Sequence, residues 1–535
     1  MRPDFLGVYS PPGIYTNPIK GPQLAVNSSL PQAVGLVGTT VGFQTYTEGI
    51  QFRDTDEEDP ETYDLTQQGI KRNSIVIRSA ETLVAWPGAS DNGNTTHYTV
   101  ETVSGTLNSN SAKYGIRRNP TSTAIAADAA VQVSYEYTDE AYFNARTFYD
   151  YRDVVATYGQ PFTINELASG GITWEIASEL TLAAKFAFLN GAYKVVCVAV
   201  DPSGATASSV DYQEALEKLK DDPTVAIVVP CNGVTSADAV KNHVREQSGS
   251  RYERRAILGF DGQETPVSTD SRIGTVRSID NDSGADGTSR RIMVVSPSQF
   301  TCYSAEVDKT IVLGGQYMAA SLAGMCVSMS FAQPLTRKYP VGWKSIGEKD
   351  TQREGQMNNE TVNGLCVVEY DRRKNLRIRH GVSARGGGPS NLLDREWSIT
   401  GQEDALVYRL RDYLDDANLI GQPIYNYTLV NVKASAEAAL QSLVRDSLLV
   451  DYTGLAVRQL LTNPDVIEIS FGWKPAFPLN YIILTFGVNL NTGSLNVNSA
   501  GNRNNFTSTT QTTINAPAPT MTGSFGGTSN TLQSF

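Results

Sequence analysis

The chain has 535 residues, 40% of them apolar, 19% charged and 9% aromatic, with Tyr (25) ahead of Phe (17). One hydrophobic core stops growing near ~250–300 residues and core formers are plentiful here, so the chain is expected to fold as roughly two to four domains and wholesale disorder is excluded. A formal charge of −12 argues against a nucleic-acid binder, whose affinity comes from Lys and Arg neutralising phosphates.

The opening MRPDFLGVYSPPGIY has no positive stretch followed by an apolar one, so no secretory signal is expected. Residues 1–32 are rich in Pro and Gly and read as an extended arm, with Pro12-Gly13 marking a turn and Gly13, Ile14, Tyr15 and Thr16 a short strand. Residues 33–39 (AVGLVGT) form an apolar run bounded by Gly, the mark of a buried strand. An acidic stretch, DTDEEDPE at 54–61, follows. From about 70 to 137 come short β segments, SIVIRS, HYTVETV and VQVSYEY, the last alternating Val131, Val133, Tyr135 and Tyr137 with polar residues. They predict an antiparallel β domain inserted into a larger one.

From 174 the pattern alternates between helix and strand. Residues 174–190 place Ile176, Ala177, Leu180, Ala183, Ala184, Ala187 and Phe188 on one helical face, ended by Asn190-Gly191. Strands are predicted at 193–200, 224–230, 255–260 and 291–297. Between them lie a helix bearing Tyr212, Ala215, Leu216 and Leu219 and another opening at a capping box, Thr235 to Asp238. Continuous Val/Ile/Leu strands predict a parallel sheet covered on both faces. QYMAASLAGMCVSMSF (316–331) is apolar nearly all round and predicts a buried helix. CVVEYDRRKNLRIRHGV (366–382) predicts a hairpin turning near Arg372–Asn375. A helix capped at Thr400 to Glu403, a second over about 435–449, and strands at 466–473 and 481–490 complete the pattern.

The expected fold class is α/β and α+β multidomain: a parallel-sheet α/β core with an inserted antiparallel β domain, a C-terminal α+β domain and extended terminal arms. Its expected divisions are an arm over 1–32, a first core strand over 33–44, the inserted β-rich domain over 45–150 and the α/β core over 151–335. The C-terminal α+β domain covers 336–480, a linking strand 481–490 and an Asn/Thr/Ser-rich tail 491–535.

Reactive groups are sparse. The five cysteines (Cys197, Cys231, Cys302, Cys326, Cys366) are dispersed without a CxxC, and the three histidines (His97, His243, His380) show no metal-binding spacing. No metal, cofactor or catalytic residue is assigned. No apolar stretch approaches the ~20 residues of a membrane span, so no membrane insertion is expected. An enzyme reading would use the carboxyl ends of the parallel strands: Asp201, Cys231, Asn232, Asp261 and Ser296, with a Cys231–His243 dyad. It is kept as an alternative in the form of an α/β hydrolase-like enzyme. Arg385-Gly-Gly-Gly-Pro-Ser390 reads as a linker rather than a phosphate loop, and Asp221-Asp222 and Asp415-Asp416 as solvated helix ends. The basic cluster Arg372, Arg373, Lys374, Arg377 and Arg379 stands out in an acidic chain. Alternation places Arg377 and Arg379 on one face and Leu376 and Ile378 on the other.

The order of these parts resembles the tail sheath proteins of contractile phages. PPGIYTNPIKGP is similar to the family's Pro-Gly-aromatic opening and QAVGLVGTT to the strand that follows. HYTVETVSGTL, IRRNPTSTAI and VQVSYEYTDEAYF are similar to its β insertion. GGQYMAASLAGMCVSMSFAQPLTRKYPVGWKSI resembles its buried helix with a Pro-rich exit, and DREWSITGQEDALVYRLRDYLDDANLIGQPIYN its helix-plus-Ile-Gly stretch. The resemblance covers roughly residues 8–490; the tail after 491 departs from it.

The resemblance implies a structural subunit, not an enzyme, that forms hexameric rings stacked around an inner tail tube. It also implies contraction that drives the tube through the host envelope. Implied partners are further copies of the chain, the tail tube protein, and baseplate and tail terminator proteins, in a virion tail assembled in the host cytoplasm. Arms add strands to neighbouring subunits; the candidates are Gly13–Thr16 and, near the other end, Tyr481, Ile482, Ile483, Leu484, Thr485 and Phe486, pairing around the hairpin and helices of 362–450. The basic hairpin Arg372–Arg379 is the candidate tube-facing set. Another phage structural protein, a baseplate component or adhesin, is the other alternative.

Overall fold

The computed structural model describes residues 30–40, 44–53, 61–70, 74–80, 85–86, 97–104, 113–120, 125–126, 128–138, 140–166, 172–202, 207–220, 222–282, 287–386 and 392–485. β1 (Ala33–Gly38) is the apolar run of the sequence, buried at every position. A strand with no polar face must be covered on both sides, and β1 lies inside an eight-stranded sheet.

Seven strands then form two smaller antiparallel sheets: β2 (Gln44–Gln51), β3 (Thr62–Asp64), β4 (Val76–Ser79), β5 (Ala85–Trp86), β6 (Tyr98–Ser104), β7 (Lys113–Arg118) and β8 (Ala130–Tyr137). β8 pairs with β2 along its whole length and with β4; β7 pairs with β3 and β6. The alternation in β8 buries Val131, Val133 and Tyr135, which join Ile77, Tyr98, Val100, Tyr114 and Ile116 in an apolar core of their own. β9 (Arg146–Phe148) belongs again to the large sheet.

α1 (Tyr151–Tyr158) is capped by Asp150, whose carboxylate accepts the Arg152 N–H at 2.8 Å. The hairpin of β10 (Phe162–Glu166) and β11 (Ile172–Ile176) corrects the helix expected from 174: Trp174 and Ile176 pair across to Ile164 and Phe162. α2 (Glu179–Leu189) starts only where Ser178 supplies a cap, its hydroxyl accepting the Thr181 N–H at 3.2 Å. Asn190 ends it, followed by Gly191 at φ 100°, as expected.

The alternating region supplies β12 (Val195–Ala199), α3 (Ser209–Glu217), β13 (Val225–Pro230), α4 (Ala237–Gly249), β14 (Arg255–Gly259), α5 (Thr269–Asp282) and β15 (Ile292–Ser296). The expected capping box at Thr235 does not form. Gly233–Ser236 is a 3-10 turn that runs straight into α4, so Thr235 sits within the turn and Ser236 makes no side-chain cap.

Next come β16 (Gln299–Ser304), β17 (Lys309–Gly314), α6 (Gly315–Ser328), β18 (Ser345–Ile346), α7 (Glu354–Val362), β19 (Leu365–Tyr370) and β20 (Leu376–Ile378). β16, β17 and β18 form a small antiparallel sheet. β19 pairs parallel with β15, and β20 antiparallel with β19, although both lie beyond the 335/336 division expected from the sequence. The large sheet therefore runs β20-β19-β15-β14-β13-β1-β12-β9, parallel except for the two edge strands. Its two faces are separate apolar layers. Val195, Cys197 and Ala199 of β12 face the layer holding α2 and α6, while Val196 and Val198 face that of α3, α4 and α5.

The last third holds α8 (Leu392–Arg395), α9 (Trp397–Asp416), α10 (Asn426–Arg445), β21 (Asp451–Gln459) and β22 (Ile467–Lys474). α9 begins ahead of the expected cap: Thr400 lies inside it and Glu403 is held by Arg290 at 2.8 Å. α10 spans Asn426–Arg445 in place of the expected 435–449. β22 matches the expected strand, and β21 is a partner not anticipated. No helix among the described residues is long and apolar enough to cross a membrane. The segment from Leu479 onward is a separate unit. The strand expected at 481–490 is not formed over Tyr481–Thr485, which is irregular and exposed; a strand exists only when an edge pairs with it. The rest of that segment lies outside the described residues.

Candidate functional site

β21 and β22 form a two-stranded sheet to which no third strand is added among the described residues. One face rests on the helices: Tyr452, Leu455, Phe471 and Trp473 pack on Leu406 of α9 and Leu440 and Leu443 of α10. Leu30, the first described residue, enters the same cluster. Among the described residues the outer edges carry rows of N–H and C=O groups with no ladder partner, which template pairing with another chain. The period-2 signal for β21 is weak in the sequence: after the positive-φ Gly454, Leu455 and Val457 are half-buried and alternate with the exposed Ala456 and Arg458.

Of the expected linking residues, Gly13, Ile14, Tyr15, Thr16 and Phe486 lie outside the described residues. Tyr481, Ile482, Ile483 and Leu484 are 74–88% exposed. Four successive apolar side chains in water are costly, at about 25 cal/mol per Å² of apolar surface left uncovered.

The basic hairpin turns where expected. Asp371 builds the turn, its Oδ1 accepting the N–H groups of Arg373 (2.7 Å) and Asn375 (2.8 Å). The structure divides the five cations. Arg377 donates to Glu369 from Nε (2.8 Å) and Nη2 (2.6 Å), and Arg379 bonds Glu369, Glu354 and Asn358. The hydrogen bonds and charge of Arg379 hold Glu354 below the usual carboxylate range. Arg377 and Arg379 thus spend their charge within the chain, while Arg372, Arg373 and Lys374 are exposed. The cross-strand register that sets Glu369 opposite Arg377 was the signal that reading one strand at a time missed.

The strand-end residues of the enzyme reading do not converge. His243 Nε2 faces Arg254 Nη1 at 2.8 Å, not Cys231. Cys231 is buried, and burial together with Glu179 and Cys197 pushes its thiol up. Ser296 donates to Glu360 at 2.5 Å. Asp261 is exposed and Asn232 bonds Ser236 at 2.7 Å; Asp201 is half-buried at the end of β12. No group of His, Cys, Asp and Glu with metal-ligand geometry occurs among the described residues. No local signal marks the buried cluster in which Arg272 of α5 meets Asp350 (2.8 Å) and Glu360 of α7 (2.9 Å), because those partners lie 78 and 88 residues away in the chain.

No protein-family model matches the chain. A tail sheath protein of Mycobacterium phage Bxz1 is 34% identical over 591 aligned positions, which cover 91% of this chain and 97% of that protein. Among solved structures, the contracted helical sheath of the anti-feeding prophage is 12% identical with a TM-score of 0.48, over 66% of this chain and 90% of the other. A sheath tail protein from Desulfitobacterium hafniense is 10% identical with a TM-score of 0.41, over 87% and 97%. The assignment rests on the phage relative, whose match spans nearly the whole of both chains: the protein belongs to the contractile phage tail sheath family.

Proposed function

We propose that the chain is the repeating subunit of a contractile tail sheath, stacked as hexameric rings around an inner tail tube in the virion. Baseplate and terminator proteins bound the stack at its two ends, and assembly takes place in the host cytoplasm. The observation that carries this reading is the open-edged β21–β22 sheet in a chain whose exposed Tyr481–Leu484 segment needs cover. Strand addition between subunits meets both needs, and its backbone hydrogen bonds survive rotation of one subunit against the next. The arm residues Gly13–Thr16 are the second donor. Contraction then needs no fuel molecule, because a metastable extended lattice gains contacts when it shortens.

Negative-stain electron microscopy of the purified full chain at rising concentration tests this. Hollow striated tubes are the expected result, and deletion of residues 1–20, or of 479–490, abolishes them while leaving a folded monomer by circular dichroism. Monodisperse single chains of the intact protein at high concentration overturn the reading.

A further inference from the structure

The β20 edge of the large sheet carries a concentrated positive surface. Arg337 and Lys338 run beside it, the Arg337 N–H donating to the Ile378 carbonyl (2.8 Å) and the Ile378 N–H to that of Lys338 (2.9 Å). With Lys344, Arg372, Arg373 and Lys374 they make six cations, none in an ion pair among the described residues. A groove of about 620 Å³ opens between Tyr339–Lys344 on one wall and Asp371–Leu376 on the other. Its one lining carboxylate, Asp371, is turned back onto the hairpin's own N–H groups. Tyr339 and Val341 stand half exposed at the groove.

The opposite surplus lies at the C-terminal end of α9. Asp412, Asp415 and Asp416 share one helical face towards its end, with no basic residue in the last turn; Arg409 and Arg411, a turn earlier, are held by Asp446 and Glu253. The three carboxylates repel one another and sit at the negative end of the helix dipole, so they weaken the helix locally. None makes an ion pair among the described residues, and Asp412 Oδ2 is buried without a hydrogen-bond partner. Ile420, four residues beyond the helix end, is 89% exposed. A local cost with no return among the described residues points to a cationic surface on a partner.

We propose that the groove of one subunit receives the acidic end of α9 of a second copy. Lys344, Arg373 and Lys374 then meet the exposed Asp415 and Asp416, with Tyr339 and Val341 against Ile420. Two different patches make a head-to-tail contact, the kind that propagates into rings or helices instead of closing as a dimer. In a chain of net charge −12, such a pairing also selects register against self-repulsion. The contact rests on the sheath reading above and assigns the free cations of the hairpin to a neighbouring subunit, not to the tube.

Charge reversal of the full-length chain tests it, read as the critical concentration for tube formation. K344E/R373E and D415K/D416K are each expected to raise that concentration about tenfold or more, since like charges then face each other. An equimolar mixture of the two is expected to restore it, because every groove again meets an end of opposite sign. The milder K344A/R373A, with an unchanged circular dichroism spectrum, separates lost docking from misfolding. Tubes formed by K344E/R373E as readily as by the unaltered chain overturn the proposal, and so does a mixture that fails to rescue. Normal tubes combined with failure to assemble on a tail tube overturn it in favour of a tube contact. Failure of the unaltered chain to form tubes refutes the sheath reading itself.

Discussion

Arg272 is 1% exposed, and its guanidinium donates to Glu360, Asp350 and the Val267 carbonyl, all within 2.9 Å. Removing the cation strands two buried carboxylates, the costly way to break a buried pair. Arg272→Met is expected to lower stability by about 3–5 kcal/mol, read from the midpoint of denaturant unfolding. His243 makes the opposite use of burial. Desolvation first, then the Arg254 and Lys220 cations, push it down from 6.5 to about 3. Between those values the unfolded imidazole holds a proton that the folded one does not. Stability from this residue is therefore present above pH 6.5 and lost as pH falls toward 3. His243→Gln flattens that acidic limb in a plot of unfolding midpoint against pH; an unchanged limb would show that another group sets it. Neither environment was legible from the sequence, because Arg272 and His243 are ordinary helix residues until partners from distant segments close around them.

At the scale of elements, α2 and α6 cross closely enough that a Cβ on Gly324 would lie 2.2 Å from the Ala187 carbonyl oxygen. Two packed backbones cannot retreat as a flexible side chain can. Gly324→Ala is thus expected to destabilise by about 1–3 kcal/mol as an overpacked core, measured by denaturant melting beside Gly274→Ala, where a Cβ meets nothing within 4 Å. The buried strands were legible because burial on both faces demands an unbroken apolar run, as in β1 and β13. Helix starts were less so. Thr400 has the composition of a cap, but α9 begins at Trp397, where its first residues are buried. Burial against the rest of the protein offset the missing cap.

At the scale of the whole molecule, the open hairpin edge, the exposed Tyr481–Leu484 and the unmatched charges of the groove and the α9 end leave edges, apolar surface and charge without partners among the described residues. Backbone edges and apolar segments respond little to salt, whereas exposed charges are screened beyond ~8 Å at physiological ionic strength. Raising salt is therefore expected to slow tube growth and loosen register without dissolving formed tubes. Turbidity at 0.05 M and at 0.5 M salt checks this, and salt-independent growth would remove the charged contact from the assembly step.

The sequence by itself determined the kind of element in most segments and the insertion of an antiparallel β region into a mainly parallel sheet, while the family came from its resemblance to known sheath proteins. Those depend on local periodicity and on residue order, which the chain carries in one dimension. Only the tertiary structure decided that β19 and β20 extend the large sheet and that β21 pairs with β22. It also decided that Arg377 and Arg379 are spent on Glu369 while Arg372, Arg373 and Lys374 stay exposed. Pairing of charges and edges is a property of which segments meet, and no window of local sequence contains both halves of such a pair.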